Sequence, residues 1–233
     1  ERMGYTSQFT IYDETDSRSL IKSIVREMSL DDKIYRPSAV HNSISMAKNH
    51  IISAQDYINN SALTARDKEA LIQKTGEIYI AYEQRCRNAN AMDFDDLLML
   101  TYRLFVEHED VRRKWAKKFR FILVDEYQDT NKVQQQIVEL LAEESHRVCA
   151  VGDDAQSIYA FRGATIDNIL NFNIVYPEAK LFKLEQNYRS TQRIVAAANS
   201  LIKHNTQQIP KNIFSENAEG DMLTLKMTYS DKE

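Results

Sequence analysis

Two adjacent carboxylates follow a short apolar run in FRFILVDEYQDT, residues 119–130. Residues 121–124 predict a buried strand, which ends in Asp125 and Glu126. Adjacent acids without a basic neighbour need an external counter-charge, and Mg²⁺ prefers oxygen ligands. One carboxylate could hold the metal while the other takes a proton from an attacking water. For Asp129, just before the helix predicted from Asn131, a helix N-cap or a turn residue is the favoured interpretation.

A second candidate stretch is VCAVGDDAQSIYAFRGAT, residues 148–165. Gln156 could position a water or a phosphate oxygen, and Arg162 could meet a phosphate. Tyr159 and Phe161 are aromatic residues in a polar loop. Stacking on nucleic-acid bases is one use of such rings, and packing in the core is an equally weighted alternative for each.

A third stretch, LFKLEQNYRST at residues 181–191, places Tyr188 and Arg189 side by side after an apolar run. The planar guanidinium of an arginine matches phosphate oxygens, so Arg189 could act as an arginine finger on a phosphate held by another domain. The alternative is an ion pair between Arg189 and Glu185.

Short apolar segments alternate with helical patterns from about Met92 onward. This alternation predicts an α/β layer with a mostly parallel sheet. In such sheets ligands bind beyond the carboxyl ends of the strands, where Asp125 would lie. The predicted strands cover residues 119–124, 147–151, 180–184 and 222–227, and the predicted helices cover residues 94–108, 131–144, 165–172 and 191–204.

The first ninety residues have mostly helical patterns. Apolar residues at helical spacing predict helices within 13–30, 36–58 and 64–87. The last of these is expected to begin with a capping box, Thr64-x-x-Asp67. Its apolar stripe is predicted to contain Leu71, Thr75, Ile78 and Tyr82. None of these helices carries a group of side chains with a catalytic pattern, so a helical scaffold is predicted.

Composition adds few constraints on function. The 233 residues carry a net charge of −4, so global charge gives no reason to expect a nucleic-acid partner. A local basic stretch, RRKWAKKFR at 112–120, is read equally well as a solvated helix face beside a packed Trp115. The two cysteines form no ligand pattern and favour a reducing, cytoplasmic location, and no apolar run reaches the length of a membrane span.

Taken together, the three stretches resemble the UvrD/PcrA/Rep family of superfamily 1 DNA helicases. LVDEYQDT resembles the family's Walker B motif, VGDDAQSIYAFRGA its third motif and LEQNYRS its fourth. Weaker similarity at FTIYD and MDFDDLLML extends the resemblance over nearly the whole chain. The resemblance implies a partial RecA-like motor core with a parallel sheet and an N-terminal helical inserted subdomain. It implies three parts: residues 1–90 from the helical subdomain, 91–178 from the first motor domain and 179–233 from the second.

The resemblance also implies a role for each matching residue at an ATP site. Asp125 would be the Mg²⁺ ligand, and Glu126 the base that activates water against the γ-phosphate. Gln156 would sense that phosphate, Tyr188 would stack on adenine, and Arg189 would be the finger. ATP and Mg²⁺ are therefore the expected cofactors.

Single-stranded DNA and duplex junctions are the expected partners. Tyr159 and Phe161 would lie along the single strand, with Phe161 stacking on a base, and Arg162 would support them. The implied activity couples ATP hydrolysis to translocation, 3′ to 5′, and to duplex unwinding. A DNA-stimulated ATPase that removes proteins from DNA and a non-catalytic DNA- or protein-binding module are the alternatives.

One departure from the family pattern concerns the phosphate-binding loop. None of the five glycines is followed by lysine, so the chain contains no G-x-x-x-x-G-K-[ST] sequence. The resemblance therefore implies an internal piece of a longer helicase, without the Walker A region and the later motifs of the second motor domain. On its own, this piece is expected to have no significant ATPase or unwinding activity, because it lacks the amides and lysine that hold the β- and γ-phosphates.

Overall fold

The computed structural model describes residues 1–227. They form two compact units, the first comprising Glu1–Asp153 and Ser157–Asn168, the second Asp154–Gln156 and the residues from Ile169 onward. The strands are β1 (Thr10–Tyr12), β2 (Ala91–Asp93), β3 (Ile122–Val124) and β4 (Val148–Ala150). The helices are α1 (Glu14–Glu27), α2 (Pro37–Asn49), α3 (Ala54–Asn59), α4 (Ser61–Glu69), α5 (Thr75–Asn88), α6 (Phe94–Glu107), α7 (Glu109–Lys118), α8 (Lys132–Ala142), α9 (Asp167–Leu170), α10 (Phe172–Val175) and α11 (Gln192–Ile202).

The strands of the first unit pair in two parallel ladders. In one, β1 lies beside β2 with Ile11 opposite Met92. In the other, β3 lies beside β4 with Leu123 opposite Cys149. Parallel strands need a crossover connection, and helices supply it in both cases. The predicted α/β class with a parallel sheet is therefore confirmed.

The main core of the first unit lies among its N-terminal helices. Helix α1 begins at a capping box in which Asp13 and Asp16 each accept a backbone N–H from the other. Its buried stripe packs against α2 and α5. The largest fully buried members of this core are aromatic or branched side chains: Tyr57, Tyr79, Tyr82, Ile21, Ile24, Ile44 and Ile78.

Several predicted boundaries were wrong in this helical region. Residues 64–87 form two helices rather than one, because the chain turns at Leu71, whose φ is +60° and whose side chain is exposed. The predicted capping box at Thr64 is also wrong. Helix α4 is capped by Asn60, which accepts the amides of Ala62 and Leu63, and Thr64 lies within the helix. The segment 36–58 likewise divides into α2 and α3, and β1 was not predicted at all.

In the second half, the helices predicted at 94–108, 131–144 and 191–204 correspond to α6, α8 and α11. The strands predicted at 180–184 and 222–227 are not formed. These residues have no regular secondary structure and pair with none of the four strands. Nearby, Gln186 and Phe214 make only an isolated parallel bridge. Among residues 1–227, no helix is long and apolar enough to cross a membrane.

Candidate functional site

The chain turns sharply where β3 ends. Val124 accepts the amide of Val151, and Tyr127 donates its amide back to the Val151 carbonyl, at 2.8 and 2.9 Å. Between these two bonds Glu126 adopts a left-handed backbone with φ +50°. This conformation is uncommon for a residue other than glycine, and such strained residues cluster at functional sites. It leaves the Asp125 and Glu126 side chains exposed at the carboxyl end of the strand, as predicted for a ligand site.

A buried glutamine holds one of these carboxylates. Gln128 is almost fully buried, and its Nε2 donates to Glu126 Oε2 at 2.8 Å. Its Oε1 accepts the amide of Asp153 at 3.0 Å. Gln128 was not among the predicted site residues. Its residue type could have indicated the role, because an uncharged amide between carboxylates is the natural hydrogen-bond donor to one of them.

Asp125 and Glu126 could hold a magnesium ion that takes most of its ligands from water and from the phosphate oxygens of a substrate. Within residues 1–227, neither Asp125 nor Glu126 forms an ion pair, and no group of three or more acidic, histidine or cysteine side chains could enclose a metal. Mg²⁺ in phosphoryl-transfer sites commonly uses one or two carboxylates together with water and phosphate oxygens. Asp125 is suited to supply such a carboxylate, and Glu126 stays available as an acceptor of a proton.

Of the two roles predicted for Asp129, the structure shows the turn residue and not the helix N-cap. Helix α8 is capped by Asn131, whose Oδ1 accepts the amide of Gln134 at 2.8 Å while Gln134 Oε1 accepts the Asn131 amide. Asp129 lies two residues earlier, in a single 3₁₀ turn, with its Oδ2 at 3.4 Å from Gln128 Nε2.

Tyr159, Phe161 and Arg162 form a compact exposed group in the first unit, which we call the aromatic loop (residues 159–162). The two ring centroids lie 5.7 Å apart. The Arg162 guanidinium lies 5.6 Å from each centroid, within cation–π range. Phe161 is 73% exposed and Tyr159 is 39% exposed, so core packing is not the role of either ring. Two neighbouring exposed rings, tilted by 31° to each other beside a cation, form a surface suited to unpaired bases.

The aromatic loop is flanked by hydrogen bonds to the segment that carries Glu126. Before the loop, the Ser157 hydroxyl donates to the Gln128 carbonyl at 3.3 Å. After it, the Thr165 amide donates to the Thr130 carbonyl at 3.0 Å, and Asn168 Nδ2 donates to the same carbonyl at 3.1 Å. Hydrogen bonds from Ser157, Thr165 and Asn168 therefore connect the two ends of the aromatic loop to the carboxylate segment, residues 125–131.

The remaining predicted site residues belong to the second unit. Gln156 is exposed in a 3₁₀ turn, and Tyr188 is exposed with its hydroxyl donating to Gln186 at 2.9 Å. The Arg189 guanidinium is exposed and forms no ion pair with any residue in 1–227. Glu185, its alternative partner, instead accepts the amide of Asn212 at 2.8 Å. Both side chains of the Tyr188–Arg189 pair are thus accessible to a ligand.

Comparison with known proteins now identifies the family. The family model for the UvrD/REP helicase N-terminal domain matches residues 1–177. The chain belongs to this helicase family. A second model, the UvrD-like helicase C-terminal domain, matches residues 182–233.

Individual relatives agree with this assignment. The ATP-dependent DNA helicase PcrA of Leuconostoc citreum is 43% identical over 225 residues, which cover 96% of this chain and 29% of that protein. The PcrA protein of Bacillus subtilis strain 168 is 41% identical over 229 residues, covering 98% of this chain and 30% of that protein. The chain therefore spans about 30% of the length of these relatives.

Proposed function

We propose that this chain is part of an ATP-dependent DNA helicase that couples Mg²⁺-ATP hydrolysis to 3′-to-5′ translocation on single-stranded DNA and to duplex unwinding. The observation that carries the proposal is the aromatic loop, which is exposed and hydrogen-bonded on both sides to the segment bearing Glu126. The similarity of the whole chain to proteins named as ATP-dependent DNA helicases supports the same function.

At the nucleotide, each residue has a distinct task. Asp125 holds Mg²⁺, which neutralises charge on the phosphates when bound. Glu126, oriented by Gln128, accepts a proton from the attacking water. Gln156 contacts the γ-phosphate, Tyr188 stacks on the adenine and Arg189 stabilises the charge that develops on the transferred group.

At the DNA, the task is stacking and release. Phe161 and Tyr159 offer π faces that accept any base, which suits a protein that moves along a strand without reading its sequence. Arg162 lies 5.6 Å from both ring centroids, where it supports their orientation, and its positive charge would attract the phosphates of a bound strand.

The chain alone is proposed to be inactive as an ATPase. It contains no G-x-x-x-x-G-K-[ST] sequence, so it supplies neither the amide cradle nor the lysine that bind the β- and γ-phosphates. The test therefore measures ATP hydrolysis by the full-length protein beside the 233-residue chain, with and without single-stranded DNA. DNA-stimulated hydrolysis by the full-length protein only, together with unwinding of duplexes with a 3′ tail, is the expected result. Tight DNA binding without hydrolysis by either would support the non-catalytic module instead.

Phe161→Ala tests the DNA site directly. Loss of a stacked ring is expected to weaken single-strand binding by about 1–3 kcal/mol, measured by fluorescence anisotropy of a labelled oligonucleotide. Phe119→Ala is the control, because that ring is also exposed but stacks on Trp115 at the end of α7. Equal affinities for the two variants would contradict stacking by Phe161.

A further inference from the structure

Three buried asparagines connect parts of the first unit that are distant in sequence. Asn49, Asn131 and Asn168 are only 5%, 6% and 4% exposed. Asn131 Nδ2 donates to Asn49 Oδ1 at 2.5 Å, and Asn168 Nδ2 donates to the Asn131 carbonyl at 3.3 Å. We call these three asparagines and the two hydrogen bonds that join them the amide strut. It joins the end of helix α2, the start of helix α8 and the residues that follow the aromatic loop.

The orientation of Asn49 is determined by its other partners. Its Nδ2 donates to the Ser45 carbonyl at 2.9 Å and to Asp95 Oδ1 at 3.0 Å. Both partners can only accept, so the amide cannot turn over without losing two bonds. Lys48 forms buried ion pairs with Asp93 and Asp96 at 2.7 Å, which anchor this end of α2. The Asn49 oxygen is therefore a fixed acceptor facing Asn131.

Asn131 has two separable tasks. Its Oδ1 caps helix α8, while its Nδ2 reaches Asn49. A cap needs only a short side chain with an oxygen, and serine serves as well as asparagine. The longer amide with a donor is needed only for the bond to Asn49.

The strut also contacts the chain directly after the aromatic loop. Gly163 has φ +84°, and a Cβ added there would lie 3.1 Å from the Asn49 Cβ. The next residue, Ala164, makes an antiparallel bridge with Asn131. The residue after Arg162 is thus enclosed between Asn49 and Asn131.

We propose that Asn49 and Asn131 are positioning residues that hold the aromatic loop against the carboxylate segment and so set how strongly single-stranded DNA stimulates ATP hydrolysis. The proposal rests on the proposed function. It places the end of helix α2, which carries none of the predicted site residues, in the physical connection between the DNA-binding and nucleotide-binding groups.

The main test compares Asn131→Ser with wild type in the full-length protein. Serine keeps the cap but is too short to reach Asn49, so basal hydrolysis is expected to stay within about twofold, while the factor of stimulation by single-stranded DNA falls about 2- to 10-fold. Asn49→Ala should reduce stimulation at least as much, because it also removes the bonds to Ser45 and Asp95. The double variant should be no worse than Asn49→Ala alone, because the bond between Asn49 and Asn131 is then already lost. Hydrogen exchange should rise at residues 159–165 but not in the first turn of α8.

Gly163→Ala supplies a second, independent variant. It adds a methyl group against Asn49 and should also lower the stimulation factor. Gly4→Ala is its control, since Gly4 has φ +82° but nothing within 4 Å of an added Cβ. The two substitutions carry the same backbone strain, so a difference between them reports the contact with Asn49.

The outcomes separate this inference from the proposed function. A wild-type protein that hydrolyses ATP without any response to DNA would overturn the proposed function and the coupling role with it. A DNA-stimulated wild type beside an equally stimulated Asn131→Ser, with unchanged exchange at 159–165, would overturn the strut alone. Additive losses in the double variant would also overturn it, because the two amides would then act separately.

Discussion

Two pairs of carboxylates in the first unit follow short parallel strands but have opposite environments. Asp93 and Asp96 come at the end of β2 and are buried. Asp125 and Glu126 come at the end of β3 and are exposed. The position at the end of a strand is the same in both cases, so position alone does not make a ligand site.

A cation from elsewhere in the chain makes the difference. Lys48 Nζ lies 2.7 Å from Asp93 Oδ2 and 2.7 Å from Asp96 Oδ1, and the Tyr82 hydroxyl donates to Asp93 at 2.8 Å. Burial, together with the neighbouring charge of Asp93, raises the pKa of Asp96 to about 6 even though Lys48 opposes the shift. The β2 pair is satisfied within the protein. Among residues 1–227, the β3 pair accepts hydrogen bonds only from Gln128 and one backbone amide, and both carboxylates stay exposed.

The largest effect that tests the comparison of the two acid pairs is expected on kcat. Glu126→Gln keeps the shape of the side chain but removes the proton acceptor, so kcat of the full-length protein should fall about 10²- to 10⁴-fold. Nucleotide binding should be nearly unchanged, as measured by titration with a fluorescent ATP analogue. A normal kcat would eliminate Glu126 as the base.

Lys48→Met is expected to have its main effect on stability. It leaves two buried carboxylates without a cation and should lower the free energy of local unfolding of α2 and α6 by about 3–5 kcal/mol, measured by native-state hydrogen exchange. Lys74→Met, which removes an exposed ion pair with Glu77, is the control and should cost far less, because solvent screens that pair. Equal costs for the two would mean that the β2 pair does not depend on its buried cation.

A smaller effect is expected for Gln128→Glu. The new carboxylate keeps an acceptor for the Asp153 amide but replaces the donor to Glu126 with a like charge. Loss of a hydrogen bond to a charged group should lower kcat about 10- to 100-fold. A kcat within twofold of wild type would show that Gln128 does not position Glu126.

The smallest expected effect is the change in stability caused by Asp125→Asn. The side-chain oxygen can still accept the Glu126 amide, and no ion pair is lost among the described residues. The free energy of unfolding should stay within about 0.5 kcal/mol of wild type, whereas more Mg²⁺ should be needed for half-maximal hydrolysis. A loss of stability comparable to that of Lys48→Met would remove the distinction between the two pairs.

Local pattern predicted much of the framework around the site. Apolar runs identified β3 and β4, helical spacing identified α6, α8 and α11, and the carboxylates were placed at the end of a strand. These features depend on neighbours within a few residues. The predicted burial of residues 121–124 was wrong, because Phe121 is 64% exposed and Leu123 is 76% exposed. The predicted strands at 180–184 and 222–227 failed because a strand needs a partner, and an apolar run alone does not show that one is present.

Long-range pairing is what only the tertiary structure decided. The sequence by itself determined which residues can bind a metal, stack on a base or cap a helix, because these capacities belong to the side chains. It did not determine that Lys48 neutralises Asp93, 45 residues away, or that Asn49 meets Asn131, 82 residues away. Those pairings follow from the packing of α2 in the first unit. For that reason one acid pair is buried against a lysine, and the other is left exposed.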